Sequence, residues 1–105
     1  MKRMRFFVDY HCSPVWTVEE DGGSDNGLPD DLKHETELAA LLDEITQEYD
    51  SLFVDEPKAY FEYRGFPSEA AKRLFFDKVY RAAAILVSKA KDRYEISIEV
   101  NEAHY

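Results

Sequence analysis

From Tyr94 to Val100 apolar and polar residues alternate without a break: Tyr94, Ile96, Ile98 and Val100 on one face, Glu95, Ser97 and Glu99 on the other. A period of two is the mark of a strand with one side on a core and one side in water. Near the start, Met4, Phe6, Val8 and Tyr10 share one face and Arg3, Arg5, Phe7 and Asp9 the other, which predicts a second strand. The two are expected to be neighbours, with Arg3 and Arg5 facing Glu95 and Glu99, because opposite charges stabilise a cross-strand pair. A third strand is expected from Val15 to Glu19, entered through a turn at His11-Cys12-Ser13-Pro14, where proline cannot donate to a ladder.

The pattern changes in the middle of the chain. Asp21-Gly22-Gly23-Ser24-Asp25-Asn26-Gly27 has no apolar residue and three glycines, which favours an exposed, mobile loop over any regular element. Leu38, Leu41, Leu42, Ile45, Tyr49 and Leu52 then recur at helical spacing, with Pro29, Asp30 and Asp31 placed to start the helix. A second helix is expected after Pro67, capped by Ser68. Its apolar face is Ala71, Phe75, Val79, Ala82, Ala83, Leu86 and Ala90, widened by Leu74, Phe76 and Val87. Between the helices, Ala59, Phe61 and Tyr63 alternate with Tyr60, Glu62 and Arg64, so a short edge strand competes with a loop held by aromatic anchors, and the loop is preferred. The layout strand, strand, helix, helix, strand predicts an α+β sandwich: a small antiparallel-type sheet with both helices on one face. At 105 residues this is expected to be a single domain spanning 1–105.

Charge alters this picture because it is segregated. Residues 19–62 hold fifteen acidic residues against two lysines, a local net charge of −13, inside a chain of net charge −9. A field of that sign speeds encounter with a basic protein and opposes contact with nucleic acid or an anionic membrane. The segment also interleaves aromatics with carboxylates. Tyr49, Asp50, Asp55, Glu56, Tyr60, Glu62 and Tyr63, together with Glu19, Glu20, Asp21 and Asp25, are the expected partner-binding residues, since aromatics anchor and acids steer. The plainer alternatives are that the charge serves solubility and that Tyr49, Phe53 and Phe61 are core.

Catalytic and metal chemistry find little support. Ser13 lacks the glycine frame of a nucleophile elbow, and Cys12 and His11, adjacent in an extended segment, point to opposite faces. Asp21, Asp25 and Asn26 superficially suggest a calcium loop, but the glycine falls at the seventh position and Leu32 stands where a closing glutamate belongs. His34 and Glu37 lie one helical turn apart without further ligands nearby in sequence. No cofactor and no metal are expected. The single cysteine precludes an internal disulfide and suits a reducing compartment, and the apolar stretch Phe6-Phe7-Val8 is far short of a signal-peptide core, so the expected location is the cytoplasm.

The stretch Asp9-Tyr10-His11-Cys12-Ser13-Pro14-Val15-Trp16 resembles the opening of a group of small acidic bacterial proteins that begin with a strand followed by Asp-Tyr-x-Cys-x-Pro-Leu-Trp. The resemblance continues through Leu28-Pro29, Leu38, Glu48-Tyr49-Asp50, Asp55-Glu56-Pro57 and Gly65-Phe66, with Val15 standing in place of leucine and a longer aromatic connection before Pro67. Such proteins look like the immunity proteins encoded beside contact-dependent growth-inhibition and polymorphic toxins. The resemblance implies no catalytic residues. It implies binding to a cognate toxin domain, for which a cationic nuclease is the partner that best suits the charge. A cytoplasmic adaptor for another basic protein is the alternative, and a small enzyme with a carboxylate site ranks last.

Overall fold

The computed structural model of the chain describes residues 2–55 and 61–105. The elements run β1 (Lys2–Phe6), β2 (Val15–Val18), β3 (Ser24–Asn26), a 3-10 turn (Asp30–Leu32), α1 (Thr36–Asp50), β4 (Phe53–Asp55), β5 (Phe61–Tyr63), α2 (Glu69–Ala90), β6 (Tyr94–Ile98) and a second 3-10 turn (Glu102–His104). Four strands form one sheet in the order β3-β2-β1-β6, and β4 with β5 makes a separate hairpin. The class is α+β. The two terminal strands are neighbours as their pattern predicts, but they run parallel, so the sheet is mixed and not purely antiparallel. Alternation carries no direction; the course of β6 is set by α2, which delivers the chain to it through a three-residue turn.

The inner face of the sheet presents Met4, Phe6, Val15 and Tyr94. These residues join Leu38, Leu42 and Ile45 of α1 and Phe75, Phe76, Val79 and Leu86 of α2 in one hydrophobic cluster. Both helices therefore cover the same face. Ser68 caps α2 as its sequence predicts, its side chain accepting from Ala71 N at 3.0 Å. Leu74, expected on the apolar stripe, is instead 68% exposed. Phe75 and Phe76, the two residues that follow it, already fill the contact, and Leu74 turns out beyond the edge of the stripe.

Among the described residues the opposite face carries no helix. Phe7 and Trp16 stack there with centroids 5.2 Å apart and planes 3° from parallel, and the Arg5 guanidinium lies 4.9 Å over the Phe7 ring. Arg5 also grips Glu99 through two hydrogen bonds of 2.7 and 2.8 Å, while Arg3, level with Glu95 in the register, forms no ion pair with it. One of the two expected cross-strand pairs is thus present.

Three further expectations change. The segment expected to be a mobile loop from residue 21 to residue 27 contains β3, and Asn26 ties it down: its amide donates to Ser13 O at 2.7 Å and Val15 O at 3.1 Å and accepts from Ser13 N at 2.7 Å. Backbone pairing and one side-chain clamp replace the apolar contacts that the composition lacks. Asp30 and Asp31 sit in a 3-10 turn and not in the helix, which begins at Thr36. Finally, Phe61–Tyr63 is a strand, the less favoured reading of that stretch. It pairs with β4 so that Phe53 faces Tyr63, a partnership between two short segments that no periodicity could announce.

Candidate partner-binding surface

The fold sorts the acidic residues into those that are already neutralised and those that are not. Along α1 most carboxylates face bases on α2: Glu37 meets Arg81 at 2.7 Å, Glu44 and Glu48 both reach Lys78, and Glu35 meets Lys89 at 3.8 Å. The charge that is segregated along the sequence is thus largely compensated where the helices pack. Glu20, Asp21 and Asp25 differ. All three are exposed on the β2–β3 hairpin, and none forms an ion pair among the described residues. Asp21 Oδ1 accepts from Gly23 N at 2.9 Å, and Gly22, at φ +90°, makes the left-handed turn that an L side chain would strain. The hairpin therefore holds the carboxylates on a defined backbone.

Behind this hairpin lies a cleft of about 590 Å³ between the β2–β3 ribbon and the segment from Leu28 to Lys33. Its acids are Glu19, Asp25, Asp30 and Asp31, against the bases Lys2 and Lys33. Leu32, fully buried, pins the 3-10 turn to the core. Asp31 is fixed from the other side by the Tyr94 hydroxyl, which donates to it at 2.9 Å, and by Arg93 at 3.0 Å. The Lys33 ammonium, 2.9 Å from Asp30, holds the Asp30 carboxyl below the usual carboxylate range. Reading Asp30 and Asp31 as a helix start concealed their place in this cleft; only the packing of Leu32 and Tyr94 brings them beside Asp25.

The other predicted residues gather at the far end of the sheet. β1 spans five residues, so its ends lie about 13 Å apart at roughly 3.3 Å per residue. At this end Asp50 accepts from His11 N at 2.8 Å and lies 3.4 Å from the imidazole Nδ1. It thereby holds His11 in the left-handed region at φ 55°. Tyr49 is in the core, packed against Phe53, Tyr63, Phe75 and Tyr105. Burial, then the neighbouring Tyr105, Tyr63, Asp9 and Asp50, push its phenol up to about 12. Tyr63 is 38% exposed and Glu62 is exposed. Asp55 lies on β4, and Glu56 and Tyr60 fall outside the described residues. The predicted residues that the structure describes thus form two groups at opposite ends of the sheet and not one continuous face.

Burial and the charges of Asp9 and Asp50 raise the Cys12 thiol, so it carries less thiolate than an ordinary cysteine. Among the described residues no group of three His, Cys, Asp or Glu side chains could hold a metal ion, and no helix is long and apolar enough to cross a membrane. No curated protein matches the chain. A family model does, and it spans residues 2–99, taking in both helices and all four strands of the main sheet. The chain belongs to the Serratia CdiI immunity protein-like family.

Proposed function

We propose that this protein binds and neutralises a cognate bacterial toxin domain, that the domain is a cationic nuclease, and that binding occludes its active cleft. The observation that carries the reading, beside membership of an immunity-protein family, is the sorting of charge. Most α1 carboxylates are matched by bases of the same chain, Asp43 being the exception among the described residues, whereas Glu20, Asp21 and Asp25 are all left to face outward. A cleft that holds phosphates must be basic, and carboxylates presented on a fixed hairpin compete for the same cations. Asp50, Glu62 and Tyr63 form a second contact region at the opposite end, supported from the core by Tyr49, and Asp55, Glu56 and Tyr60 are further partner-binding residues. The protein acts by binding and not by catalysis, in the cytoplasm, where a delivered nuclease meets its nucleic acid.

The test uses the toxin domain encoded beside this gene. Reversal of Glu20, Asp21 and Asp25 to lysine should slow association at least tenfold at low salt and abolish protection of cells. Three control reversals, at Asp43, Glu69 and Asp92, should do neither. Equal effects from both sets would reduce the hairpin to bulk charge. A toxin domain that leaves nucleic acid intact would remove the nuclease assignment.

A further inference from the structure

The two edges of the main sheet are guarded differently. β3 closes one side with three polar residues, and the side chain of its Asn26 clamps the turn before β2. β6 closes the other side with Tyr94-Glu95-Ile96-Ser97-Ile98, which contains no proline, lysine or glycine to blunt it. The direction of its free backbone groups follows from the ladder. Glu99 N donates to Phe6 O at 2.8 Å, so the backbone groups of Glu95, Ser97 and Glu99 turn toward β1, and those of Tyr94, Ile96 and Ile98 turn away from it. On that side β6 has no partner strand among the described residues. The chain beyond β6 turns inward, where the Tyr105 hydroxyl donates to Val8 O at 2.6 Å. Burial fades along the inner face of the strand in step: Tyr94 is buried, Ile96 half-buried and Ile98 42% exposed.

We propose that β6 pairs with β6 of a second copy of this chain, antiparallel across a two-fold axis at Ile96, joining two four-stranded sheets into one. Opposed residues of an antiparallel pair share a face, so with the helices of both copies on one side the axis can fall at Ile96, Ser97 or Ile98. Charge and length choose among these. An axis at Ser97 sets Glu95 directly against Glu99 of the other copy, and like charges so placed are destabilising. An axis at Ile98 sets Tyr94 against Glu102, which lies outside the strand in the second 3-10 turn. An axis at Ile96 lets Tyr94, Ile96 and Ile98 all exchange N–H···O bonds with the second copy and sets Glu95 against Ser97. It also lays Tyr94 on Ile98, an aromatic on a β-branched side chain, and so covers the exposed isoleucine. One strand edge is small beside the roughly 1,200 Å² of the smallest stable interfaces, and each chain carries a net charge of −9, so half-assembly is expected at about 100 µM protein. The acidic β2–β3 hairpins come to lie at the two outer edges of the joined sheet, so the pairing leaves them open and does not rest on the toxin reading.

Sedimentation velocity of the purified chain should show monomer passing to dimer between about 10 µM and 1 mM protein, and added salt should strengthen the dimer by screening the repulsion between two acidic copies. Ile98→Lys, which puts a charge on the edge without touching the ladder to β1, should weaken the dimer at least tenfold. Glu95→Lys should change it less than twofold, whereas an axis at Ser97 would make that variant tighter. A second measurement does not depend on how Ile98→Lys folds. Oxidation of an equal mixture of Glu95→Cys and Ser97→Cys chains should join one variant to the other through the introduced thiols, as peptide mapping reads, and Ser97→Cys alone should not cross-link to itself. A monomer at every concentration, a dimer that Ile98→Lys leaves intact, or a disulfide formed by Ser97→Cys alone would overturn the proposal. So would a one-to-one complex with the co-encoded toxin domain in which the Ile96 and Ile98 amides gain protection from hydrogen exchange, since the toxin would then be the occupant of this edge.

Discussion

Replacing Thr17 by valine should stabilise the protein, although the residue lies in the middle of the sheet. Valine has nearly the same shape, so the change exchanges a hydroxyl for a methyl without opening a cavity. The threonine hydroxyl is buried without a partner among the described residues, and mutational data set the cost of such a group at about 1–3 kcal/mol. The Met4 and Asp25 neighbours in the register leave the backbone ladder untouched, and valine is at least as well suited to a strand as threonine. The expected gain is therefore about 1 kcal/mol, taken at the low end because the denatured chain also changes. For a domain of this size that is about 4 °C in Tm. Urea unfolding of wild type, Thr17→Val and Thr17→Ser checks it, with an unchanged slope so that midpoints can be compared. Serine keeps the hydroxyl and loses the buried methyl, and should be less stable than wild type by about 1 kcal/mol. A Thr17→Val protein destabilised by more than about 0.5 kcal/mol would refute the reasoning, since a loss of that size is what a satisfied hydroxyl contributes.

Asp50→Ala should destabilise the chain by about 1.5–3 kcal/mol, because it removes the charged acceptor that holds His11 N and its left-handed backbone; an unchanged urea midpoint would refute this, and charge reversal at Asp50 is for the same reason a poor probe of binding. Cys12 should be alkylated by iodoacetamide at pH 8 more slowly than a free cysteine, as its raised pKa reduces thiolate, and a rate at or above the free value would contradict the burial and carboxylate neighbours assigned to it. The Arg5 hydrogen bonds hold the folded-state pKa of Glu99 below its ordinary value, so this pair stabilises the fold above the unfolded pKa and is lost as pH falls through the folded one. Glu99→Gln should accordingly lower stability at pH 7 and flatten the acid limb of the stability–pH curve; a parallel offset at every pH would refute the linkage.

Which parts of this molecule could be read without coordinates follows from the range over which each signal acts. Side-chain periodicity is local, and it located β1, β2 and β6, the apolar stripes of both helices and the Ser68 cap. The resemblance to a group of small acidic bacterial proteins likewise needed only the order of residues, and it was size and acidity that pointed from there to immunity proteins, the kind of family to which the chain belongs. What periodicity lacks is direction and partnership. The parallel course of β6 beside β1, the pairing of Phe53 with Tyr63, and β3, whose Ser24, Asp25 and Asn26 resemble any polar loop, all depend on which segments meet after the chain has closed on itself. Charge shows the same division. Counting gave a −13 segment, but electrostatic energy falls with distance in space and not along the chain. Packing of α2 on α1 neutralises much of that segment, leaves Glu20, Asp21 and Asp25 open, and sends Asp50 to the other end of the sheet. The Thr17 hydroxyl, without a partner among the described residues, belongs wholly to the tertiary structure. In sequence it is one more β-branched residue of a strand, and only the surroundings of a folded chain can leave a donor without an acceptor.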